Sequence, residues 1–488
     1  MFREKAVSLG SNFKIDPMTL NLDALNTAIT SINDALWAYL LIGALILCGL
    51  YFTVRTRFVQ FTMIGDMFRQ LVDASPSSGG KKHISSFQAF AVSVATRVGT
   101  GNLAGVATAI AVGGPGAVFW MWVIALMGSA TAFVEATLAQ LYKRPHVDSF
   151  IGGPAYYISR GLHNKWLATV FAVLFILTFG LSYNSIQSNT ICNAMHQAFG
   201  FNQMVTGAII AAVALFIVFG GIQRIARVSS ILVPVMAIGY FILALVIIIM
   251  NIHLVPHVFR LIIENAFGFN QVAGGGLGMT IMIGVKRGLF SNEAGEGSAP
   301  NVAATAHVSH PVKQGLIQAL GVFTDTLLVC SCTAFLVLIS GLYTTDGLQG
   351  IQLTQASMQA QVGQWGTVFV AVAIFLFAFS SIIGNYYYGE ANIRYLTDNR
   401  HVLTVFRVLS GGVFVYFGAV ASFELVWNLG DLFMALVTLC NLIALAFLCK
   451  HVFKLLDNYR SQRRRGIKNP VFHRRDMPEI ASEIECWE

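Results

Sequence analysis

Residues 35–54, 87–110, 116–142, 166–190, 204–221, 228–250, 274–300, 314–341, 365–393, 402–420 and 424–449 form eleven apolar runs. Each is near the roughly 20 residues that a helix needs to cross ~30 Å of hydrocarbon. Hydrocarbon pairs with no backbone N–H or C=O, so a chain with such runs must satisfy its own backbone within helices or a closed barrel. Continuous runs of this length predict helices, and a composition 56% hydrophobic and 11% charged agrees. The expectation is an all-α polytopic membrane protein with eleven transmembrane helices. Residues 1–32 are mixed and polar, and the run ALWAYLLIGALILCGLYFTV (35–54) lacks a small-residue cleavage site. It is therefore expected to stay as a span rather than leave as a signal peptide. The seven cysteines (48, 192, 330, 332, 440, 449, 486) show no metal-ligand spacing and read as small buried hydrophobes.

Charge sets the orientation. If the 55–86 loop is inside, so are 143–165, 222–227, 301–313 and 394–401, and these five loops carry fourteen Lys or Arg. The tail after residue 449 adds nine, whereas the opposite loops hold one, Arg260. This asymmetry predicts an N-terminus outside and a C-terminus in the cytoplasm. The net charge of +8 thus describes membrane orientation and not nucleic-acid binding. The tail's QRRRGIKNPVFHRR fits a solvated topology anchor or a holder of anionic lipid headgroups.

Within the second run, RVGTGNLAG (97–105) carries an arginine, an asparagine and three glycines, and RGLFSNEAG (287–295) repeats its pattern R-x-x-x-x-N-x-A-G 190 residues later. Each copy opens a block of five spans. An odd count makes the blocks cross the bilayer in opposite directions, an inverted repeat with one span left over at the front. The expected organisation is a segment 1–34 outside, an additional helix and loop at 35–86, a first repeat at 87–250, an outer loop at 251–273, a second repeat at 274–449 and a basic tail at 450–488. Glycine weakens helix and frees backbone groups that must then line a cavity or bind something. Freed amides at a half-helix start suit a carboxylate, and nearby carbonyls suit a cation. Close packing of small residues would explain Gly101 and Gly105 but not Arg97 or Asn102, since membrane-buried polar groups are normally paired or functional.

Three motifs, VGTGN (98–102), GGPAYYI (152–158) and RGLFSNEAGEGSAP (287–300), resemble those of the alanine or glycine:cation symporters, the sodium:alanine transporters of bacteria and archaea. The resemblance runs from about residue 35 to 449. It implies the leucine-transporter-like fold, a 5+5 inverted-repeat core with its first and sixth helices broken, in the bacterial or archaeal cytoplasmic membrane. It implies sodium as coupling ion, a small neutral amino acid such as alanine or glycine as substrate, and no organic cofactor, nucleic acid or obligatory protein partner beyond membrane lipid. Carried onto this chain, Thr100 and Gly101 offer amides to the substrate carboxylate and Asn102 a side-chain oxygen. Gln187, in SYNSIQSN (182–189), faces the substrate or makes an interhelical hydrogen bond. Ser380 and Ser381, in FAFSSIIGNYYYGE (377–390), close a sodium site against Ala95 and Val98, or bond their own helix. Asn385 stands where some members have tryptophan, and Ile283 and Gly284 are expected to line the pocket.

Glu135, Glu293, Glu296, Asp325, Glu390 and Asp431 are candidates for proton relays or for partners of Arg97, Lys286 and Arg287. The segment PSSGGKKH (76–83) lacks phosphate-loop spacing, the histidines are scattered, and no catalytic constellation recurs, so an enzyme is not expected. A channel and a proton-coupled permease of the same fold remain as alternatives.

Overall fold

A computed structural model describes residues 17–72, 84–146, 149–268 and 275–487 of the chain. The expected features of residues 1–16 and the PSSGGKKH segment lie outside the described residues. Among the described residues the architecture is helical, apart from a short antiparallel hairpin that pairs Arg144–His146 with Ser149–Ile151. Among the described residues, seven helical stretches are long and apolar enough to cross a membrane: Asn26–Arg55, Ala117–Leu141, Lys165–Phe199, Val312–Ser340, Gln364–Leu396, Arg400–Val420 and Phe423–Arg464. Val235–Met250 and Ile252–Ala266 make an eighth if a pair bent by 78° counts as one span. Gly101–Gly113 and Gln203–Val218 are shorter apolar helices. Exposed side chains such as Leu47, Phe216, Ile238 and Phe447 leave apolar surface on the outside of the bundle, as lipid contact requires.

Several boundaries depart from the sequence reading, each for a visible reason. The segment expected to lie outside at 1–34 is helical from Pro17, and it runs on through a π-helical turn at Trp37–Leu41 into the first apolar helix. Its polar residues are met by the last long helix. Asn33 Nδ2 donates to the Asn428 carbonyl (2.9 Å), Asn428 Nδ2 to Asn26 Oδ1 (2.8 Å), and the Trp37 indole to the Asp431 carbonyl (3.3 Å). The expected outer loop 251–273 contains the helix Val255–Ala266, pinned where Trp120 Nε1 donates to the Ala266 carbonyl (3.0 Å). The last helix continues past 449 to Arg464, and the chain then folds back, burying Phe472, Ile484 and Trp487.

Two helices are interrupted. The helix Ser86–Arg97 stops, residues 98 and 99 leave the helical path, and helical backbone resumes at Thr100, running through a π turn, Gly101–Gly105, into Val106–Gly113. The helix Gly275–Asn292 ends before a longer break at 293–298, and Ala299–Ala303 follows. Left-handed backbone at Glu293 (φ 55°), Gly295 (φ 100°) and Gly297 (φ 83°) makes that second break, and glycine takes two of those positions without steric cost. The breaks do not coincide under the 190-residue offset, because the counterparts of 98 and 99 are 288 and 289, which are helical.

Candidate functional site

The two broken helices meet at their interruptions. A Cβ placed on Gly101 would lie 3.0 Å from Ser291 Cα and 3.3 Å from the Phe290 ring, so a glycine is what lets the first helix approach the second. At the other end of the same pair, Thr280 Oγ1 donates to the Gly113 carbonyl (2.8 Å). The segments Gly101–Gly113 and Gly275–Asn292 therefore run antiparallel, with the start of one beside the end of the other.

The break at 98–99 is closed by side chains. Asn102 Oδ1 accepts from the Gly99 amide (2.8 Å), and Gln187 Oε1 accepts from both the Thr100 amide (3.0 Å) and the Thr100 hydroxyl (2.7 Å). Asn102 Nδ2 donates to Asp325 Oδ1 (2.7 Å), and the other carboxylate oxygen accepts from Ser291 Oγ and Thr326 Oγ1, both at 2.8 Å. Asp325 lies in a π-helical stretch, Phe323–Cys330, and is fully buried. Such stretches occur frequently at functional sites. One carboxylate thus links the first break, the end of the second broken helix and a third helix. An aromatic wall of Tyr183, Phe290 and Trp427, with ring centroids 5.0 Å apart at each step, stands beside it.

Ser380 Oγ and Ser381 Oγ both point at the Ala95 carbonyl, at 3.1 and 3.0 Å, and Ser381 also lies 3.1 Å from the Thr96 carbonyl. Val98 caps that helix, its amide on the Val94 carbonyl (2.8 Å). Both serines also reach the Phe377 carbonyl of their own helix. Asn385 sits one turn further along, buried, with neither amide atom bonded. Ile283 and Gly284 are not brought to the break. They lie nine and eight residues before Asn292, and a Cβ on Gly284 would strike Trp120 at 2.7 Å, so this glycine serves close packing against the helix Ala117–Leu141.

The buried charges find partners, some close and some far off in sequence. Arg287 and Lys286 share Asp431 Oδ2 at 2.6 and 3.4 Å, and Arg287 also stacks 4.6 Å over Trp427. Glu390 takes Arg394 (2.6 Å) and Arg407 (3.6 Å). Arg97 donates to the Gln318 carbonyl (3.1 Å). Around the second break Glu293 accepts from Ser298 (2.6 Å) and Thr96 (3.3 Å), Glu296 from Tyr183 (3.1 Å), and Glu135 from Asn441 (3.1 Å). Sequence reasoning assigned no partner to Asp325 and passed over Ser291. The available signal was a lone carboxylate inside the apolar run VFTDTLLV (322–329).

The description "sodium:alanine symporter family" matches residues 22–474. The chain belongs to that family. Among relatives, the probable sodium/glutamine symporter GlnT of Bacillus subtilis is 52% identical over 457 residues, covering 93% of this chain and 94% of the relative. The amino-acid carrier protein AlsT of the same organism is 50% identical over 463 residues, 95% of this chain and 98% of the relative. The putative sodium/proton-dependent alanine carrier protein YrbD, also from Bacillus subtilis, is 43% identical over 461 residues, 91% and 94% of the two chains. Membership makes this symporter-family chain a multi-pass membrane transporter and not an enzyme, and its helices are long and apolar enough for that.

Proposed function

We propose that this symporter couples inward sodium flow to the uptake of small neutral amino acids, alanine and glycine among them, by alternating access. The reading takes eleven helices across the membrane, the core as two inverted sets of five, the N-terminus outside and the C-terminus in the cytoplasm. The observation that carries it is the antiparallel meeting of Gly101–Gly113 with Gly275–Asn292. The first presents a helix N-terminus to the junction and the second a helix C-terminus, so opposite partial charges face one small space. An amino acid is a zwitterion, and its carboxylate and ammonium match those two ends.

Gln187 Oε1 supports the carboxylate's place, because it occupies the point on which the Thr100 amide and hydroxyl converge. A carboxylate oxygen accepts the same two donors once the Gln187 side chain turns away. Gly101 then admits the substrate's backbone end, and Asn102 and Asn385 supply polar contacts. Sodium, as the second cargo, finds hard oxygen donors at the Ala95 and Val98 carbonyls and the Ser380 and Ser381 hydroxyls. The two hydroxyls already lie within 3.1 Å of Ala95 O. A hydroxyl that now donates to a carbonyl turns its proton aside to offer a lone pair to the ion. Sodium then ties the helix Ser86–Arg97 to the helix Gln364–Leu396 and favours the conformation in which they touch. Coupling is the differential affinity of the ion for the two states.

The test is uptake of radiolabelled alanine, glycine and glutamine into proteoliposomes with a sodium or a proton gradient imposed alone. Alanine or glycine accumulation driven by sodium alone is expected. Accumulation driven by protons alone replaces sodium with the coupling suggested by the sodium/proton-dependent relative, and glutamine accumulation without alanine or glycine moves the substrate towards that of GlnT. Downhill flux without accumulation would indicate a channel.

A further inference from the structure

The last helix and the first connecting turn build an arginine-lined hollow that the transport reading does not use. Beside the turn at 56–58, a cavity of about 350 Å³ is lined by Arg57, Arg460, Arg463, Arg464, Asp66 and Thr62, among others. A second of about 370 Å³ shares Arg57, Arg460 and Arg464 with it and adds Arg465 and Asp457. Five arginines thus face two aspartates, an excess of three positive charges. Two of the arginines are fixed in place. Arg460 Nη2 donates to the Thr56 carbonyl (2.9 Å) and to Thr62 Oγ1 (3.3 Å), and Arg463 pairs with Asp66 (2.8 Å). Arg57, Arg464 and Arg465 are exposed, and none has an ion pair among the described residues. Arg57 and Arg464 lie close enough to Arg460 to repel it. Arginines gathered in this way are stabilised by an anion with several acceptor oxygens.

The turn itself is unusual. Arg57 (φ 55°) and Phe58 (φ 54°) are consecutive non-glycine residues in left-handed backbone, a conformation that persists only where the surroundings over-determine it. Its effect is to swing Arg57 towards the last helix while Phe58 turns out. Phe58 (50% exposed), Phe61 (49%), Ile64 (44%) and Phe68 (57%) then form an apolar strip next to the arginines. The strip continues the lipid-facing side of the N-terminal helix, where Leu47 and Val54 are also exposed. A basic hollow bordered by exposed aromatic side chains at the end of a membrane helix has the amphipathic form of a headgroup with its acyl chains.

We propose that Arg57, Arg460, Arg464 and Arg465 bind the phosphate of an anionic phospholipid, its acyl chains lying against Phe58, Phe61 and Phe68. The site lies on the membrane face that carries the basic C-terminal segment, the leaflet in which anionic lipids meet positive charge.

The experiment titrates the detergent-purified full chain with phosphatidylglycerol and follows bound lipid by native mass spectrometry. Phosphatidylcholine and inorganic phosphate serve as separate probes. Phosphatidylglycerol is expected to bind with defined stoichiometry and phosphatidylcholine not to. Arg57→Gln/Arg464→Gln should weaken binding roughly 25-fold, from about 1 kcal/mol per arginine. These two side chains are exposed and carry no ion pair, so their loss leaves the fold in place, as monodispersity will show. Arg474→Gln/Arg475→Gln, on the exposed tail, should leave binding unchanged. Equal loss in both double variants reduces the effect to general surface charge and overturns the site. Unchanged binding in Arg57→Gln/Arg464→Gln does the same. Competition by inorganic phosphate as strong as by the lipid assigns the hollow to a free oxyanion and overturns the lipid.

Discussion

Asp325 offers the sharpest test of how the two breaks are held together. Replacing it with alanine removes the acceptor of three hydrogen bonds, from Asn102 Nδ2 (2.7 Å), Ser291 Oγ (2.8 Å) and Thr326 Oγ1 (2.8 Å), in a place without solvent. Two estimates compete. Bonds to charged groups in water-soluble proteins contribute about 1.5–3 kcal/mol each, but bonds between membrane helices average only ~0.6 kcal/mol, because the separated helices find other partners. Asn102 Nδ2 and Ser291 Oγ also keep the Cys330 sulfur at 3.2 and 3.1 Å, which favours the lower figure. Three bonds at that value amount to roughly 2 kcal/mol lost from the state in which the breaks meet. If alanine binds only to that state, its affinity falls about 30-fold.

Asp325→Asn is the informative control. Its carbonyl oxygen accepts one donor, and the hydroxyls of Ser291 and Thr326 can rotate to accept from its NH2, so most of the network survives without the charge. Alanine binding at saturating sodium, measured by scintillation proximity on monodisperse protein, should therefore fall far more in Asp325→Ala than in Asp325→Asn. Equal losses would show that the charge matters and the bond network does not. Alanine-variant affinity within about threefold of wild type would show that the breaks do not need Asp325 at all.

Gly101→Leu sets a side chain against Ser291 and Phe290, where even a Cβ is tight, and should abolish alanine binding while the protein stays monodisperse in detergent; retained affinity places the substrate elsewhere. Ser381→Ala deletes one oxygen beside Ala95 O and little volume, so half-saturating sodium for alanine uptake should rise while maximal uptake changes little; an unchanged sodium dependence makes Ser381 a packing residue. His310, in the connection before the helix Val312–Val322, has its pKa pushed down to about 3 by burial. The unfolded chain then binds a proton that the folded chain refuses between pH ~6.5 and about 3, so stability falls as pH drops through that window. The melting temperature of His310→Gln should decline less than that of wild type between pH 7.5 and 5, and parallel declines would refute the buried neutral imidazole.

What the sequence made legible follows from how local its causes were. Long apolar runs specify helices because a hydrocarbon solvent leaves the backbone no other partner, and the glycines of VGTGN and NEAGEG weaken helix where they stand. The serine pair next to Ala95 was legible through the family resemblance alone, since no periodicity relates residues 95 and 381. Features set by distant partners stayed hidden. The helix from Pro17 reads as polar because Asn26 and Asn33 are answered by Asn428, some 400 residues on. The pairing of Arg287 with Asp431 and the packing of Gly284 on Trp120 have no local signature either.

The two copies of R-x-x-x-x-N-x-A-G show most clearly where a sequence match stops short of a structural one. In the first, Asn102 Oδ1 reaches back to the amide of Gly99 and the chain winds into helix after it. In the second, Asn292 Oδ1 reaches forward to the amide of Ala294 (3.0 Å) and the chain leaves the helix after it. The same side chain thus starts one half-helix and ends the other. This is what an antiparallel pair demands if both asparagines are to lie at the junction. A copy running in the opposite sense presents the other end of its helix to the same point. Identical capping at both would set two like helix ends against each other, leaving nothing to distinguish a carboxylate from an ammonium. Opposite capping sets an N-terminus beside a C-terminus, and the proposed seating of a zwitterion between the copies rests on that divergence.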